Sequence, residues 1–221
     1  MRAIQSVPGH DEPQVVEVDD RSAQADLAVL DAEAVALVPA GLDLVDAASI
    51  PLNAVTAHQA LALLGEHAGR TLLVTGAAGA VGGYAVALAK ATGWDVTGHG
   101  RPSDEAFVSS TGALFTAEPR PASYDAVLDG AVLQQAGVAL VADGGTFVGV
   151  QPSMPPESER GVVVTAVKVQ RDGALLGQLL DRSVSGELEV RVTGTIPLQD
   201  AATAYGKVGG GGQRGRWLLV P

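Results

Sequence analysis

The sequence predicts an α/β protein with a doubly wound parallel sheet, and one stretch, residues 71–101, provides the main evidence. A short apolar run at residues 72–74 leads into a turn with four glycines within residues 76–83. An alanine-rich helical pattern follows at residues 80–92, and a second apolar run ends at Thr97. Strand, tight turn, helix and strand in this order form the first unit of a Rossmann sheet.

The glycine-rich turn has the spacing of a dinucleotide fingerprint, with Ala77 where the first glycine usually stands. Gly79 leaves room for a pyrophosphate to approach the backbone, and Gly82 lets the following helix pack closely on the strand. The free N–H groups at the start of that helix then face the anion. The alternative is a turn with a purely structural role. The residues of this turn that we predict to contact a cofactor are Gly76, Gly79, Ala80, Val81 and Gly82.

The elements on either side of this unit are predicted from hydrophobic periodicity and turn residues. Strands are expected at residues 1–7 and 14–18, and another strand with a short apolar return at residues 26–38. Residues 43–64 show two helical segments separated at Pro51. Further along, the predicted helices cover residues 103–110, 132–141, 173–183 and 200–208, and the predicted strands cover 113–116, 125–129, 145–150, 162–167, 188–192 and 217–220. This alternation favours a parallel sheet with helices on both faces.

Composition limits the classes of protein and partner. The length of 221 residues suits one domain, with or without a small appendage. A formal net charge of −11 argues against nucleic acid or an anionic membrane surface as a partner. No apolar run approaches the ~18 residues of a membrane span, and the first residues lack the apolar core of a secretory signal. We therefore expect a cytoplasmic protein that does not enter a membrane.

No metal site is expected from the residue types present. The chain contains no cysteine, which removes disulfides and thiolate zinc sites. Its four histidines are scattered and show no ligand spacing.

The residues after the second strand bear on which nicotinamide cofactor is bound. An acid that binds the ribose is expected about 20 residues beyond the glycines, but residues 98–103 contain none. His99, Arg101 and Ser103 can instead hold a 2′-phosphate by charge and hydrogen bonds. We therefore predict NADPH, with NADH as the alternative cofactor and a solvated surface charge as the alternative role for Arg101. Cofactor contacts are also predicted at the carboxyl ends of later strands, at Gly130, Val150 and Gln151.

Several segments, in order along the chain, resemble one known family. They are ASIPLNAVTAHQAL, GAAGAVGG, YDAVLDGA, GGTFVGV and QRGRWLLVP, which together resemble the zinc-independent medium-chain dehydrogenase/reductases of the quinone oxidoreductase and enoyl reductase branch. The resemblance implies a Rossmann domain at residues 41–192. It also implies that residues 1–40 and 193–221 form a small β remnant of the family's N-terminal, GroES-like substrate domain, most of which is absent.

The resemblance also suggests roles for residues outside the glycine-rich turn. Thr56 matches a threonine near the nicotinamide, and Asn53 lies one helical turn before it. Arg216 matches a position close to the cofactor. The alternatives are a satisfied polar pair within a helix for Thr56 and Asn53, and a surface role for Arg216.

These observations predict an NADPH-dependent reductase that transfers hydride to an enone, a quinone or an enoyl thioester. One alternative is a reductase-derived protein that cyclises or isomerises a hydrophobic intermediate without redox chemistry. The other is a non-enzymatic nucleotide-binding subunit. The predicted partners are a small hydrophobic carbonyl substrate and a second copy of the chain, joined through an edge strand at residues 162–167 or 188–192. No side chain is predicted to be catalytic.

Overall fold

Eleven strands form three separate sheets within the residues that the computed structural model describes, which are 2–5, 14–17, 27–65 and 69–220. In chain order the strands are β1 (Arg2–Gln5), β2 (Gln14–Glu17), β3 (Leu27–Val29), β4 (Thr71–Thr75), β5 (Asp95–His99), β6 (Leu114–Thr116), β7 (Tyr124–Asp129), β8 (Val141–Gly149), β9 (Val163–Ala166), β10 (Val192–Pro197) and β11 (Arg216–Val220). The first three form an antiparallel sheet and the last two a parallel pair.

The other six strands form one parallel sheet in the order β6-β5-β4-β7-β8-β9. The chain starts this sheet at β4, builds outward to β6, and then returns to the other side of β4 with β7. The strand order therefore reverses between β4 and β7, and the carboxyl ends at such a reversal are where open α/β sheets bind ligands. This arrangement confirms the predicted doubly wound fold with small additional β structure.

Six α-helices accompany the strands in the described residues. They are α1 (Leu44–Ala62), α2 (Ala80–Ala91), α3 (Glu105–Ser110), α4 (Gln135–Val138), α5 (Gly173–Val184) and α6 (Ala201–Gly209). None is long and apolar enough to cross a membrane.

Both faces of the parallel sheet are covered, as the continuous apolar runs of its strands predict. Leu72 and Val74 of β4 point to one face and pack in a cluster with residues of α1, α2 and α5. Leu73, between them, points to the opposite face and packs with Phe147 and with Val138 of α4. Alternation along one strand thus supplies both hydrophobic clusters.

The predicted break at Pro51 is wrong, because α1 continues through it from Leu44 to Ala62. Asp43 caps this helix, its Oδ1 accepting a hydrogen bond of 2.8 Å from the Val45 amide. Ile50, Ala54 and other residues on the inner face are buried in the main hydrophobic cluster. That packing keeps the segment helical although proline removes one backbone hydrogen bond.

Two other element predictions are wrong for reasons visible in the backbone. A helix was expected over residues 132–141, but α4 is one turn, because Val132 and Gln134 have φ angles of 59° and 57° that a right-handed helix excludes. The strand expected at residues 188–192 begins only at Val192. The first two predicted strands are confirmed at residues 2–5 and 14–17, and the turn predicted between them lies outside the described residues.

The elements β10, α6 and β11 form one unit of strand, helix and parallel strand, which packs beside α1. Trp217 of β11 covers Gly194 of β10, where an added Cβ would lie 2.6 Å from the indole ring. The Lys207 ammonium of α6 lies 4.8 Å from the centre of the same ring. This unit brings residues 209–216, which we call the C-terminal segment, to the carboxyl edge of the parallel sheet. The proposed division into domains at residues 40 and 192 stays a prediction.

Candidate functional site

The glycine-rich turn between β4 and α2 brings the backbone of α2 so close to Gly76 that position 82 cannot carry a side chain. A Cβ added to Gly82 would lie 2.1 Å from the carbonyl oxygen of Gly76, which is far inside contact distance. Gly76 itself has φ of 63°, in the left-handed region that favours glycine. Gly79 is the N-cap of α2 and provides no side chain to cap the first amides of that helix. The first turn of α2 therefore has backbone donors available to an anion.

A cavity of about 450 Å³ lies beside this turn, at the carboxyl ends of β4 and β5. Its lining includes Gly76 and Gly79 of the turn, His99 at the end of β5 and Arg101 just beyond it. The His99 ring is held in place, since its Nδ1 lies 3.1 Å from the carbonyl oxygen of Thr116. The cavity thus joins the backbone of the predicted phosphate site to the side chains predicted to bind a 2′-phosphate.

Arg101 is fixed by a carboxylate that the sequence analysis did not identify. Its Nε and Nη2 donate to Asp104 at 2.9 and 3.1 Å, a bidentate arrangement, while the Arg101 side chain is 56% exposed and that of Asp104 only 4%. Arg214, from the C-terminal segment, donates to the same carboxylate at 3.0 Å and to the Ser103 carbonyl at 2.8 Å. Two arginines therefore share one buried acid, and one positive charge remains uncompensated beside the cavity.

The hydrogen bond from Arg101 holds the pKa of the Asp104 carboxyl below its usual range. We expect Asp104→Asn to destabilise the protein at neutral pH but not in acid. A carboxyl whose pKa is depressed by folding contributes stability above its unfolded pKa of about 4, and this is lost as pH falls through the folded value. Urea unfolding of both proteins over a pH series measures this gap. A gap that stays constant with pH would contradict the assignment.

A second cavity, of about 470 Å³, lies on the other side of the C-terminal segment, and both cavities are lined by Gly212 and Gln213. Asn53 of α1 and Ala80 of α2 form its inner wall, and Arg216 of β11 faces them. Burial lowers the pKa of the Arg216 guanidinium, and its side chain makes no ion pair among the described residues. This cavity therefore offers a half-buried cation close to the start of α2.

Seven of the predicted site residues line one of the two cavities, namely Asn53, Gly76, Gly79, Ala80, His99, Arg101 and Arg216. Gly82 belongs to the turn but lines neither cavity, and Gly130 is packed against β4, where an added Cβ would be 2.8 Å from the Thr75 carbonyl oxygen. The others, which line neither cavity, are Thr56, Val81, Ser103, Val150 and Gln151. The part each plays in cofactor binding stays a prediction.

The polar groups of Thr56 and Asn53 have partners inside α1. The Thr56 hydroxyl donates to the carbonyl of Leu52, and the Asn53 amide nitrogen donates to the Ser49 carbonyl at 3.3 Å. Both side chains are buried, at 6% and 7% exposure. These contacts match the alternative in which both side chains are satisfied within the helix. Asn53 nevertheless borders the second cavity.

A strained loop follows β7 next to the cavity wall. Asp129, which is buried, accepts from the Thr75 hydroxyl at 2.6 Å and from the backbone amide of Gln134 at 2.9 Å. The Gln134 side chain donates to Gln151 at 3.1 Å. These contacts hold Val132 and Gln134 at positive φ, where branched and long side chains are disfavoured.

Because of that strain, Val132→Gly is expected to stabilise the protein by about 1 kcal/mol. Val184→Gly is the matched control, since Val184 has similar exposure, 46% against 43%, but lies in the regular helix α5. The same substitution there should destabilise by roughly 0.3 kcal/mol, because valine is itself a weak helix former. Urea unfolding measures both changes, and destabilisation by Val132→Gly would show that the loop is not strained.

Comparison with known proteins adds to this geometry. The family model described as zinc-binding dehydrogenase matches residues 101–219. The chain is 27% identical over 215 residues to a 2-methylene-furan-3-one reductase from Solanum lycopersicum, and 26% identical over 212 residues to an NADPH-dependent alkenal/one oxidoreductase from Arabidopsis thaliana. Each match covers 89% of this chain and 52% of the relative. The chain therefore spans about half the length of these curated relatives.

Solved structures show the same fold. A quinone oxidoreductase from Pseudomonas syringae pv. Tomato superimposes with a TM-score of 0.75 and 24% identity, covering 90% of this chain and 71% of that one. The family description mentions zinc, but in residues 27–65 and 69–220 no three histidine, aspartate or glutamate side chains lie together as metal ligands would. This set of donors in the described residues does not fit a zinc ion.

Proposed function

The chain belongs to the zinc-binding dehydrogenase family, and from that premise we propose that it is an oxidoreductase that uses NADPH to reduce a small hydrophobic carbonyl compound. The observation that carries the proposal is the turn at residues 76–82, which has no room for a side chain at Gly82 and borders a cavity lined by Arg101. The proposed substrate classes are enones, quinones and enoyl thioesters. The names of the two plant relatives, a furanone reductase and an alkenal/one oxidoreductase, support an unsaturated carbonyl substrate.

The residues of this chain bind and orient the cofactor in this proposal. The first amides of α2 hold the pyrophosphate, because they lack side-chain caps. Arg101, kept in place by the donation of its Nε and Nη2 to Asp104, pairs with the 2′-phosphate through Nη1. Arg216 adds a second cation near the start of α2.

NADPH supplies the hydride when it is bound. For an enone, hydride adds to the β carbon and a proton must reach the α carbon to balance the reaction. We assign no side chain as the donor, and solvent provides that proton in this proposal. The protein's contribution is then orientation of the two reactants and partial exclusion of water.

The proposal is tested by titrating the purified protein with NADPH and with NADH and following tryptophan fluorescence. Loss of NADPH absorbance is then measured with a panel of enones, quinones and enoyl thioesters. Tight binding with turnover of one class supports the proposal. Binding without turnover of any class would point to a nucleotide-binding subunit, and absence of binding at millimolar cofactor would leave the non-redox alternative.

We also propose that the protein forms a homodimer along β9. This strand is at the edge of the six-stranded sheet, and its Val163 is 59% exposed. Exposed apolar edge strands are commonly paired or covered. The solution mass measured by light scattering tests this, and a monomer at all concentrations would contradict it.

A further inference from the structure

Arg191 is an arginine that lies almost wholly inside the protein, at 6% exposure, between β10 and the glycine-rich turn. Its Nη2 donates to the carbonyl of Ala78 at 2.7 Å and to the carbonyl of Arg214 at 2.9 Å. Ala78 belongs to the turn, and Arg214 belongs to the C-terminal segment. One guanidinium group therefore links two segments that are distant in sequence and that border the same cavity.

Aromatic and backbone groups surround this guanidinium, although its buried Nε has no hydrogen-bond partner among the described residues. Its Cζ lies 4.7 Å from the centre of the Phe107 ring, in cation–π contact. A Cβ added to Gly83 of α2 would lie 2.4 Å from the same carbon atom, so α2 has a glycine where the guanidinium passes. The nearest carboxylate is that of Glu189, 4.0 Å away and 71% exposed. The buried charge is thus balanced mainly by backbone carbonyls and an aromatic ring.

The main chain of Arg191 strengthens the same link. Its carbonyl oxygen accepts a hydrogen bond of 2.7 Å from the amide of Arg216. The carbonyl of Arg214 accepts a hydrogen bond from the Arg191 side chain. The side chain of Arg214 in turn donates to Asp104, which also accepts from Arg101. The contacts run without interruption from the turn to both arginines that we place at the cofactor.

We infer that Arg191 is a positioning residue that fixes the C-terminal segment against the glycine-rich turn, so that the turn amides, Arg101 and Arg216 act on one nucleotide. The inference rests on the proposed function for its second half. It assigns Arg191 no contact with the cofactor. If Arg191 instead only filled space beside Phe107, its substitution would lower the global stability of the protein without a specific effect on these two segments.

The first test needs no nucleotide. Amide hydrogen exchange is measured in wild type, in Arg191→Met and in the matched control Arg160→Met. Arg160 also donates to two backbone carbonyls, those of Val141 and Val138, at 2.8 and 3.0 Å, but beside β8. Arg191→Met should accelerate exchange in residues 76–80 and 209–216 by roughly tenfold, as expected for lost hydrogen bonds from a charged donor. Arg160→Met should leave both segments unchanged.

The second test asks whether the link serves the nucleotide. In Arg191→Met the KM for NADPH should rise by roughly tenfold while kcat stays near the wild-type value. Arg216→Met should weaken NADPH binding less in the Arg191→Met background than in wild type, because Arg216 is then already displaced. If Arg191→Met does not fold, Arg191→Lys replaces it, since lysine keeps the charge and stem but lacks the planar fork.

The outcomes separate this inference from the proposed function. Unchanged exchange in both segments, or additive effects of the two substitutions, would overturn the inference even if NADPH binds well. Failure of the wild-type protein to bind NADPH would overturn the proposed function and the second half of the inference. The exchange measurement would still decide whether Arg191 links the two segments.

Discussion

Gly82→Ala is expected to abolish measurable NADPH binding and to destabilise the protein by about 3 kcal/mol. The added Cβ would lie 2.1 Å from the carbonyl oxygen of Gly76 and 2.7 Å from its carbonyl carbon. These are backbone atoms, so no side-chain rotation relieves the overlap. The start of α2 must move away from the turn, and the amides proposed to bind pyrophosphate lose their common orientation. Urea unfolding and NADPH titration measure the two effects.

Gly206→Ala is the control for this substitution. Gly206 lies inside α6, and a Cβ there would meet nothing within 4 Å. Alanine should stabilise that helix by about 0.5–1 kcal/mol and leave NADPH affinity unchanged. If Gly82→Ala binds NADPH as tightly as Gly206→Ala does, the turn is not the phosphate site.

Arg101→Ala is expected to weaken NADPH binding by roughly 10- to 100-fold while changing NADH binding by less than about twofold. The arginine is exposed but held by Asp104, so its charge is already oriented toward the cavity when the phosphate arrives. Only NADPH has the 2′-phosphate that this charge would contact. Dissociation constants for both cofactors, measured at one salt concentration, give the ratio.

Arg182→Ala controls for loss of a surface ion pair. Arg182 also pairs with a carboxylate nearby in sequence, Glu187 at 3.0 Å, but in α5, and it lines neither cavity. Its removal should alter neither cofactor's affinity. Equal losses for NADPH and NADH in Arg101→Ala would mean that the residue is a general surface charge, which was the alternative considered from the sequence.

The strand, turn and helix start around the candidate site are confirmed as elements of the fold, and they are encoded by neighbouring residues. The turn at residues 76–82 combines a buried strand, glycines and a helix start, and each of these follows from local sequence. The structure places the turn beside a cavity, and its contact with a pyrophosphate stays a prediction. Arg101 lies two residues after the end of β5, so its position also follows from the local sequence.

Asp104, Arg191 and Arg214 were missed because long-range packing determines what they contact. Asp104 could have been noticed from its spacing of three residues after Arg101, but nothing nearby in sequence indicates that Arg214 would meet it. Arg191 lies in a stretch predicted to be a strand. Its inward guanidinium depends on Gly83, more than one hundred residues earlier.

The wrong helix at residues 132–141 has a similar cause. Apolar spacing there is compatible with a helix, but the buried carboxylate of Asp129 binds the Gln134 amide and holds the loop in a different conformation. A tertiary contact thus overrides local propensity. Pro51 shows the opposite case, in which packing preserves a helix that local rules would end.

Asp104 accepts a hydrogen bond from Arg214, and the carbonyl of Ala78 accepts one from Arg191. Both arginines are synthesised long after their partners, which affects how the protein folds during translation. Residues 76–104 leave the ribosome well before residues 191–216 have been polymerised, and domains begin to fold as they emerge. Until then, Asp104 has Arg101 as a partner but not Arg214, and the carbonyl of Ala78 lacks its hydrogen bond from Arg191. If the turn binds a nucleotide as proposed, the site is complete only in chains whose synthesis has passed beyond Arg216.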